Sequence, residues 1–157
     1  MPRITMDMVH PELRKKARSE GLEERPYSLF KTKILKALCT LLRGSHSRDI
    51  RYEQLFIPRA DGTKLRLCVY SPLQKKEGVP GLLWIHGGGY AIGVPEQDDA
   101  YIRRFILSSG CVVVSPDYTL SVDKPYPAAL DDCRDALLWL RDHGQEYGMR
   151  PDQIFVG

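Results

Sequence analysis

Three short, continuous apolar runs are the feature that most constrains the fold of this chain. They lie at residues 82–85, 111–114 and 154–156. Strands of this kind are typical of parallel sheets in which helices cover both faces. Residues 97–108 and 127–143 separate the runs and are candidate helices, the second with apolar residues at helical spacing. Strands that alternate with helices predict right-handed crossovers and an α/β fold with a parallel sheet.

An antiparallel hairpin is predicted ahead of these strands. Residues 50–58 and 64–71 have strand-like patterns on either side of Asp61-Gly62. Glycine accepts the positive φ that a tight turn needs. Within 64–71, leucine and valine alternate with more polar residues. This pattern predicts a strand with one solvent-exposed face at the antiparallel edge of the sheet.

Residues 1–47 are predicted to form a separate helical region, with a short helix over 10–20 and a longer one over 28–43. The apolar residues of the longer helix form one stripe, and its basic residues occupy other positions. That stripe consists of Phe30, Ile34, Leu38, Leu41 and Leu42. One interpretation docks the helix on the body and leaves its lysines in solvent. The alternatives are a cap over a pocket and a contact with a lipid surface.

The net charge of the chain is small, and its basic residues are unevenly distributed along the sequence. The 157 residues include 23 basic and 20 acidic side chains, a net charge of +3 that is too mild to require a nucleic-acid partner. Residues 1–50 hold 11 basic and 6 acidic residues, so the positive surplus lies in the N-terminal third. The sequence shows no apolar block that could serve as a signal-peptide core or transmembrane segment, which predicts a cytoplasmic location.

The cysteines and histidines do not indicate a metal site. None of the four cysteines belongs to a C-x-x-C pair, and each lies within an apolar pattern, so we expect buried small side chains in place of disulfides. The four histidines lack metal-ligand spacing. The sequence therefore predicts neither a metal nor a cofactor.

The segment from His86 to Gly93 carries the chemistry. Three consecutive glycines, at 87–89, follow directly after a buried strand and precede Tyr90. Such a run costs backbone entropy, and it is justified where backbone amides must converge on a ligand or where chain segments pass closely. Loops beyond the carboxyl ends of parallel strands bind ligands. Amides there can stabilise a phosphate or the oxyanion that forms when a nucleophile attacks an ester.

The phosphate alternative is disfavoured by the residues that follow. A dinucleotide fingerprint needs a third glycine where this chain has Ile92, and Pro95 separates the glycines from the next helix. The sequence has no Gly-Lys-Ser/Thr triplet, which excludes a P-loop. A glycine turn without chemistry remains as the other alternative.

The chain resembles the hormone-sensitive-lipase-like branch of the α/β-hydrolases, whose members are mostly carboxylesterases. The resemblance is carried by the His-Gly-Gly-Gly turn and by residues 114–118, 126–132 and 153–157. It covers residues 48–157 and implies the first five strands of an α/β-hydrolase domain, a mostly parallel sheet with an antiparallel N-terminal hairpin. Residues 1–47 would be cap helices in front of that domain.

The resemblance also implies roles for the turn. The backbone N–H groups of Gly88 and Gly89 would form most of an oxyanion hole, and Tyr90 would line the substrate pocket. His86 would position the turn and not act as the catalytic base. The turn would be supported by three residues: His86, Gly87 and Gly93.

Two departures from the family bear on function. Thr119 stands where members usually have arginine, which predicts a different local loop. The G-x-S-x-G nucleophile elbow is expected just past Gly157, with the catalytic acid and histidine after it. The resemblance thus predicts a parent enzyme that hydrolyses small ester substrates, a 157-residue chain that is inactive alone, and a last strand whose bare edge favours self-association.

Two other functions are compatible with the same pattern. One is a non-catalytic small-molecule-binding module, which a residue other than serine at the elbow would indicate. The other is an amide or formamide hydrolase with the same oxyanion turn.

Overall fold

The computed structural model describes residues 5–19 and 29–157. The helices α1 to α4 are Arg14–Ser19, Leu29–Thr40, Asp99–Ser109 and Ala128–His143. The strands β1 to β5 are Ile50–Pro58, Lys64–Pro72, Val79–Leu83, Val112–Pro116 and Met149–Val156. Short 3-10 helices occupy Met6–Met8, Pro11–Leu13, Pro95–Asp98 and Gly144–Tyr147. Residue 20 of the first predicted helix and residue 28 of the second lie outside the described residues.

The five strands form one mixed sheet in the order β1-β2-β4-β3-β5. β3 pairs in parallel with β4 and with β5, which confirms parallel strands at the three apolar runs. β4 pairs antiparallel with β2, so the parallel part and the hairpin join there. β5 begins at Met149, ahead of the predicted apolar run, because Val79 of β3 pairs with Met149.

The predicted hairpin is confirmed. β1 and β2 pair antiparallel from Ile50 opposite Pro72 to Pro58 opposite Lys64. Gly62 has a φ of 80°, and the N–H of Arg59 donates to the carbonyl of Thr63 at 2.8 Å. Glycine therefore supplies the left-handed conformation that this five-residue connection needs.

The prediction that one face of β2 is exposed to solvent is wrong. β2 lies between β1 and β4, and Arg66 is only 8% exposed. On the same face of β2, Cys68 and Tyr70 pack against Ile102 of α3. Arg66 is tolerated there because its guanidinium is paired with carboxylates, as a buried charge must be. The hairpin strand at the edge of the sheet is β1, along which more buried and more exposed residues alternate.

Helices cover both faces of the sheet. One cluster joins Leu67 of β2, Val112 of β4 and Met149 of β5 to Ala136 and Leu140 of α4. The other joins β2 and β4 to α3 through Ile102 and Ile106. These three layers form the core of an α/β fold.

The interpretation that docks α2 by its apolar stripe is wrong. Phe30 is 74% exposed and Leu41, just past the helix, is 79% exposed. The opposite side of the segment contacts the body: Lys36 pairs with Asp123, and Nη2 of Arg43 lies 2.7 Å from Oδ2 of Asp117. Carboxylates of the body thus bind the basic side of this segment, and its apolar stripe faces solvent.

The cysteines are free, and three of them, Cys68, Cys111 and Cys133, are buried as expected, whereas Cys39 is half-buried. Across residues 5–19 and 29–157, no group of three or more His, Cys, Asp and Glu side chains could hold a metal ion. No helix in those ranges combines the length and the apolar character needed to cross a membrane.

Candidate active site

The glycine-rich turn lies at the carboxyl end of β3, beside the ends of β4 and β5. The ladder continues briefly past β3, because the N–H of Trp84 donates to the carbonyl of Val114 at 2.9 Å and that of Ile85 donates to Gly157 at 2.8 Å. His86 is the first residue beyond these bonds. β4 and β5 flank β3 on opposite sides, so the chain order reverses here, as at the crevices where open α/β sheets bind ligands.

The backbone of the turn requires glycine at two positions. Gly88 has a φ of 129°, and a Cβ there would lie 2.0 Å from the carbonyl oxygen of Ile92. Gly93 has a φ of 113°, and its Cβ would lie 2.6 Å from the carbonyl oxygen of Gly87. Tyr90 adopts a φ of 58°, which is uncommon for a residue with a side chain. The turn is thus tightly folded on itself.

Gly87 contributes through its carbonyl. Its oxygen accepts a hydrogen bond from Nε2 of Gln97 at 2.9 Å and lies 2.9 Å from Nδ1 of His86. A Cβ on Gly87 would meet no atom closer than 4.0 Å. The structure therefore provides room for a side chain at 87, unlike at 88 and 93.

The backbone N–H groups of Gly88 and Gly89 are among the amides of the turn that have no acceptor within the described residues. The carbonyl oxygen of Gly88 accepts from the N–H groups of Ala91 at 3.1 Å and Ile92 at 3.2 Å. Among the described residues, neither the N–H of Gly88 nor that of Gly89 has an intrachain acceptor. Adjacent backbone donors of this kind can stabilise an anionic oxygen.

His86 lies beneath the turn and not at its surface. The residue is 2% exposed, and its ring stacks on Tyr118 with centroids 4.2 Å apart. The hydroxyl of Tyr118 donates to the carbonyl of His86 at 2.8 Å. Burial lowers the pKa of His86, so its imidazole is neutral near pH 7. With Nδ1–H donating to Gly87, Nε2 has no partner in the described part of the chain.

The loop after β4 holds the other side of the turn. The N–H of Ser121 donates to the carbonyl of Tyr90 at 2.7 Å. Both the N–H and the hydroxyl of Thr119 donate to Oδ2 of Asp132 at 2.7 Å. Asp132 in turn accepts from Nε of Arg59 at 2.6 Å. The guanidinium of Arg59, which comes from the hairpin, thus brings a positive charge to this loop. Thr119 itself is uncharged.

Asp132 is a residue whose role the sequence analysis missed. An aspartate near the start of a predicted helix matches the helix dipole, and this is a sufficient explanation from sequence. Asp132 is instead buried. Burial alone would raise its pKa, but hydrogen bonds from Arg59 and Thr119 outweigh this and lower it. The sequence has three aspartates in this region, Asp131, Asp132 and Asp135, and does not indicate which of them is buried.

A second buried network follows the turn. Oε1 of Glu96 accepts from Nη1 of Arg66 at 2.7 Å, from the hydroxyl of Tyr52 at 2.8 Å and from the N–H of Gly44 at 2.8 Å. Burial opposes ionisation, but these donors prevail and lower the pKa of Glu96 to about 2. Nε of Arg66 also lies 3.0 Å from Oδ2 of Asp117. In the sequence, this network is indicated by Arg66, a charged residue in a largely apolar strand.

A cavity of about 500 Å³ opens beside the turn. Its lining includes Gly89 and Tyr90 from the turn, Ile85 before it, Tyr126 just ahead of α4, and Leu130 within α4. Most of these side chains are apolar or aromatic, which suits the uncharged part of a small molecule. Gly89, one of the two adjacent residues with a free backbone donor, therefore lies in the wall of a largely apolar cavity.

No nucleophile and base are brought together within the described residues. Nδ1 of His46 lies 3.0 Å from the carbonyl of Gly44, and Nδ1 of His143 lies 2.9 Å from Glu146. Across residues 5–19 and 29–157, no serine, threonine or cysteine hydrogen-bonds to a histidine. Ser115 is buried in β4 and its hydroxyl has no partner in the same ranges.

Comparison with known proteins agrees with this geometry. A family model described as alpha/beta hydrolase fold matches residues 82–157. Carboxylesterase NlhH of Mycobacterium tuberculosis is 32% identical over 108 residues, covering 69% of this chain and 34% of that protein. The AB hydrolase superfamily protein C1039.03 of Schizosaccharomyces pombe is 36% identical over 124 residues, covering 79% of this chain and 36% of that protein.

Solved structures show the same similarity. A bacterial heroin esterase superposes with a TM-score of 0.72 and 28% sequence identity, covering 98% of this chain and 49% of that chain. The chain thus spans about a third to a half of the length of these relatives. The strand order, the turn after β3 and the matched segment together show that this chain belongs to the hormone-sensitive-lipase-like family of the α/β-hydrolases.

Proposed function

We propose that this chain supplies the oxyanion-binding turn of a serine hydrolase that cleaves carboxylic esters through an acyl-enzyme. The observation that carries the proposal is the pair of adjacent amides at Gly88 and Gly89, which lack intrachain acceptors in the described residues, with Gly89 in the wall of a largely apolar cavity. Relatives named carboxylesterase and lipase support the choice of an ester. The substrate would be a small, uncharged ester.

In this mechanism a serine hydroxyl attacks the ester carbonyl while a histidine takes its proton. The carbonyl oxygen becomes anionic, and the N–H groups of Gly88 and Gly89 donate hydrogen bonds to it. When the tetrahedral intermediate collapses, the histidine returns the proton to the leaving alcohol, and water then releases the acid by the same steps. We propose that the serine, the acid and the histidine lie in sequence beyond Gly157.

The surrounding residues would hold these donors in place. His86 would act as a positioning residue, since its buried ring fixes Gly87 and its carbonyl binds Tyr118. Gly93 would permit the close approach of the chain to Gly87. Tyr90 would line the pocket for the acyl or alcohol group, consistent with its place in the cavity wall.

The edge of β5 supports a proposal about association. Phe155 and Val156 are both exposed. Exposed apolar residues on a strand edge favour pairing with another chain. We propose that the 157-residue chain self-associates through this edge, which sedimentation would reveal as a concentration-dependent increase in mass. A monomer at all concentrations would contradict this proposal.

A fluorophosphonate probe tests the proposed chemistry on the native protein that carries this chain. We expect covalent labelling of one serine that peptide mass spectrometry locates beyond Gly157. The 157-residue chain alone should neither be labelled nor hydrolyse p-nitrophenyl butyrate. Labelling within residues 1–157 would overturn the proposal, as would a native protein that binds the ester without turnover or cleaves only amides.

The variant Gly88→Ala tests the oxyanion turn itself. An added Cβ would collide with the carbonyl of Ile92, so the turn must shift. Loss of a donor of this type lowers turnover about 10²–10³-fold. Gly62→Ala is the matched control, because Gly62 also has a positive φ and a Cβ there meets nothing within 4 Å. Equal activities for the two variants would contradict the role of Gly88.

A further inference from the structure

The peptide unit between Gly87 and Gly88 sets the direction of one of the two free donors. Its carbonyl oxygen belongs to Gly87 and its N–H belongs to Gly88, and a trans peptide directs these two groups to opposite sides of one rigid plane. A glycine on each side leaves that plane little resistance to rotation. Hydrogen bonds to the carbonyl of Gly87 therefore fix the direction of the N–H of Gly88.

The two donors of the turn are held by different means. The N–H of Gly89 shares its peptide unit with the carbonyl of Gly88. That carbonyl accepts from the N–H groups of Ala91 and Ile92, so the turn holds this unit by its own backbone. Within the described residues, the carbonyl of Gly87 accepts from no backbone N–H. The unit that carries the N–H of Gly88 thus depends on side chains.

Gln97 supplies the side-chain donor that comes from beyond the turn. Nε2 of Gln97 donates to the carbonyl oxygen of Gly87 at 2.9 Å, where Nδ1 of His86 donates as well. Oε1 of Gln97 accepts from the N–H of Val94 at 3.3 Å. Both ends of the amide are therefore engaged. A carboxylate could accept from Val94 but could not donate to Gly87, so the chemistry of the site calls for an amide.

The backbone on either side of Gln97 is anchored. Gln97 lies in the 3-10 helix Pro95–Asp98. On one side of it, Glu96 is buried in the charged network described above. On the other side, Oδ2 of Asp98 accepts from Nε1 of Trp84 at 2.9 Å. Gln97 thus reaches the turn from a support that is fixed at both ends.

We propose that Gln97 is a positioning residue of the oxyanion-binding turn, which holds the carbonyl of Gly87 so that the N–H of Gly88 stays directed at the developing oxyanion. This inference rests on the proposed function. Gln97 acts through the peptide unit and not on the substrate. Because the oxyanion forms only as the tetrahedral intermediate is approached, a misdirected donor weakens transition-state binding and leaves ground-state binding intact. Loss of Gln97 should therefore lower kcat without raising KM.

Kinetics of ester hydrolysis by the native protein that carries this chain test the inference. Gln97→Met removes both polar atoms at similar length and should lower kcat about three- to tenfold, the equivalent of one neutral hydrogen bond. The loss stays below the 10²–10³-fold, roughly, that follows removal of a donor itself, because His86 still donates to Gly87. Gln97→Glu should lower kcat further, since a carboxylate oxygen would then face the carbonyl oxygen of Gly87.

Gln145 offers a matched control. It is also an exposed glutamine in a 3-10 helix, Gly144–Tyr147, which lies just ahead of β5. β5 runs parallel to β3, so this helix lies at the end of the sheet opposite the glycine-rich turn. Gln145→Met and Gln145→Glu should leave both kcat and KM unchanged. Urea unfolding verifies that all four variants are folded.

A crystal structure of the Gln97→Glu variant adds a measurement that does not need turnover. We expect the Gly87–Gly88 peptide unit to rotate away from its orientation in the parent. The inference is overturned by an unmoved peptide unit, by an unchanged kcat, by a loss of kcat/KM that lies wholly in KM, or by equal losses in the Gln145 variants. A parent that neither hydrolyses esters nor reacts with a fluorophosphonate would contradict the proposed function instead, and the orientation of the peptide unit would still decide whether Gln97 holds it.

Discussion

Helices α2 and α4 have similar amphipathic patterns but dock in opposite ways. α4 buries Ala136 and Leu140 against the sheet. α2 leaves Phe30 and Leu38 in solvent. Periodicity therefore specified a helix in both cases, but the surface that each helix meets decided which face is buried. α4 lies on the apolar face of a sheet, whereas Lys36 of α2 pairs with Asp123, and Arg43 just past the helix pairs with Asp117.

The two modes of docking differ in strength. Burial of a large apolar side chain contributes about 1.5–3 kcal/mol. A solvent-exposed ion pair contributes about 0–1 kcal/mol. We therefore expect α4 to unfold with the whole domain and α2 to open more readily.

The largest difference should appear on truncation of one leucine in each helix. Leu140→Ala leaves a cavity in the core and should lower the free energy of unfolding by about 2–5 kcal/mol. Leu38→Ala removes an exposed side chain and should change it by less than about 0.5 kcal/mol. Urea unfolding measures both. Similar losses for the two variants would show that Leu38 is buried in solution.

An intermediate effect is expected at the buried network that joins the body to Gly44. Glu96→Gln keeps the shape of the side chain but removes its charge. A hydrogen bond to a charged group contributes about 1.5–3 kcal/mol, and Arg66 keeps Asp117 as a second partner, so we expect a loss in that range. Asp152→Asn on the exposed part of β5 is the control and should be nearly neutral.

The same carboxylate should give the protein a pH dependence. The pKa of Glu96 falls to about 2 in the folded protein from an ordinary value of 4.5. A lowered pKa means that its stabilisation is fully present above pH 4.5 and is lost as the pH falls toward 2. Unfolding curves from pH 6 to pH 3 should therefore decline less steeply for Glu96→Gln. Identical slopes in the two proteins would show that Glu96 does not cause the decline.

The smallest effect should come from the ion pairs that dock α2. Lys36→Ala should lower global stability by less than about 1 kcal/mol. It should nevertheless speed hydrogen exchange within α2, because local opening depends on the contacts of the element that opens. Lys64→Ala, on an exposed residue of the hairpin, is the comparison and should leave exchange in α2 unchanged. Unaltered exchange in Lys36→Ala would indicate that other contacts hold the helix.

The sequence by itself determined the α/β alternation, the hairpin and the place of the glycine turn. The continuous apolar runs at 82–85, 111–114 and 154–156 predicted parallel strands, and all three pair in parallel, although Phe155 and Val156 of the last run are exposed. Gly62 supplies a left-handed residue where the hairpin closes. These are local constraints, since they depend on the chemistry of neighbouring residues in the chain. The family resemblance identified the turn at 86–93 as the candidate site for the same reason.

Only the tertiary structure decided which polar groups are buried and which apolar face is left outside. Arg66, Glu96 and Asp132 resemble surface residues in sequence, yet each is buried because its partner comes from a distant segment. The orientation of α2 was likewise set by Asp117 and Asp123, more than 70 residues away. Ion pairing between distant segments has no periodic signature, and for this physical reason the pattern of the chain could not reveal it.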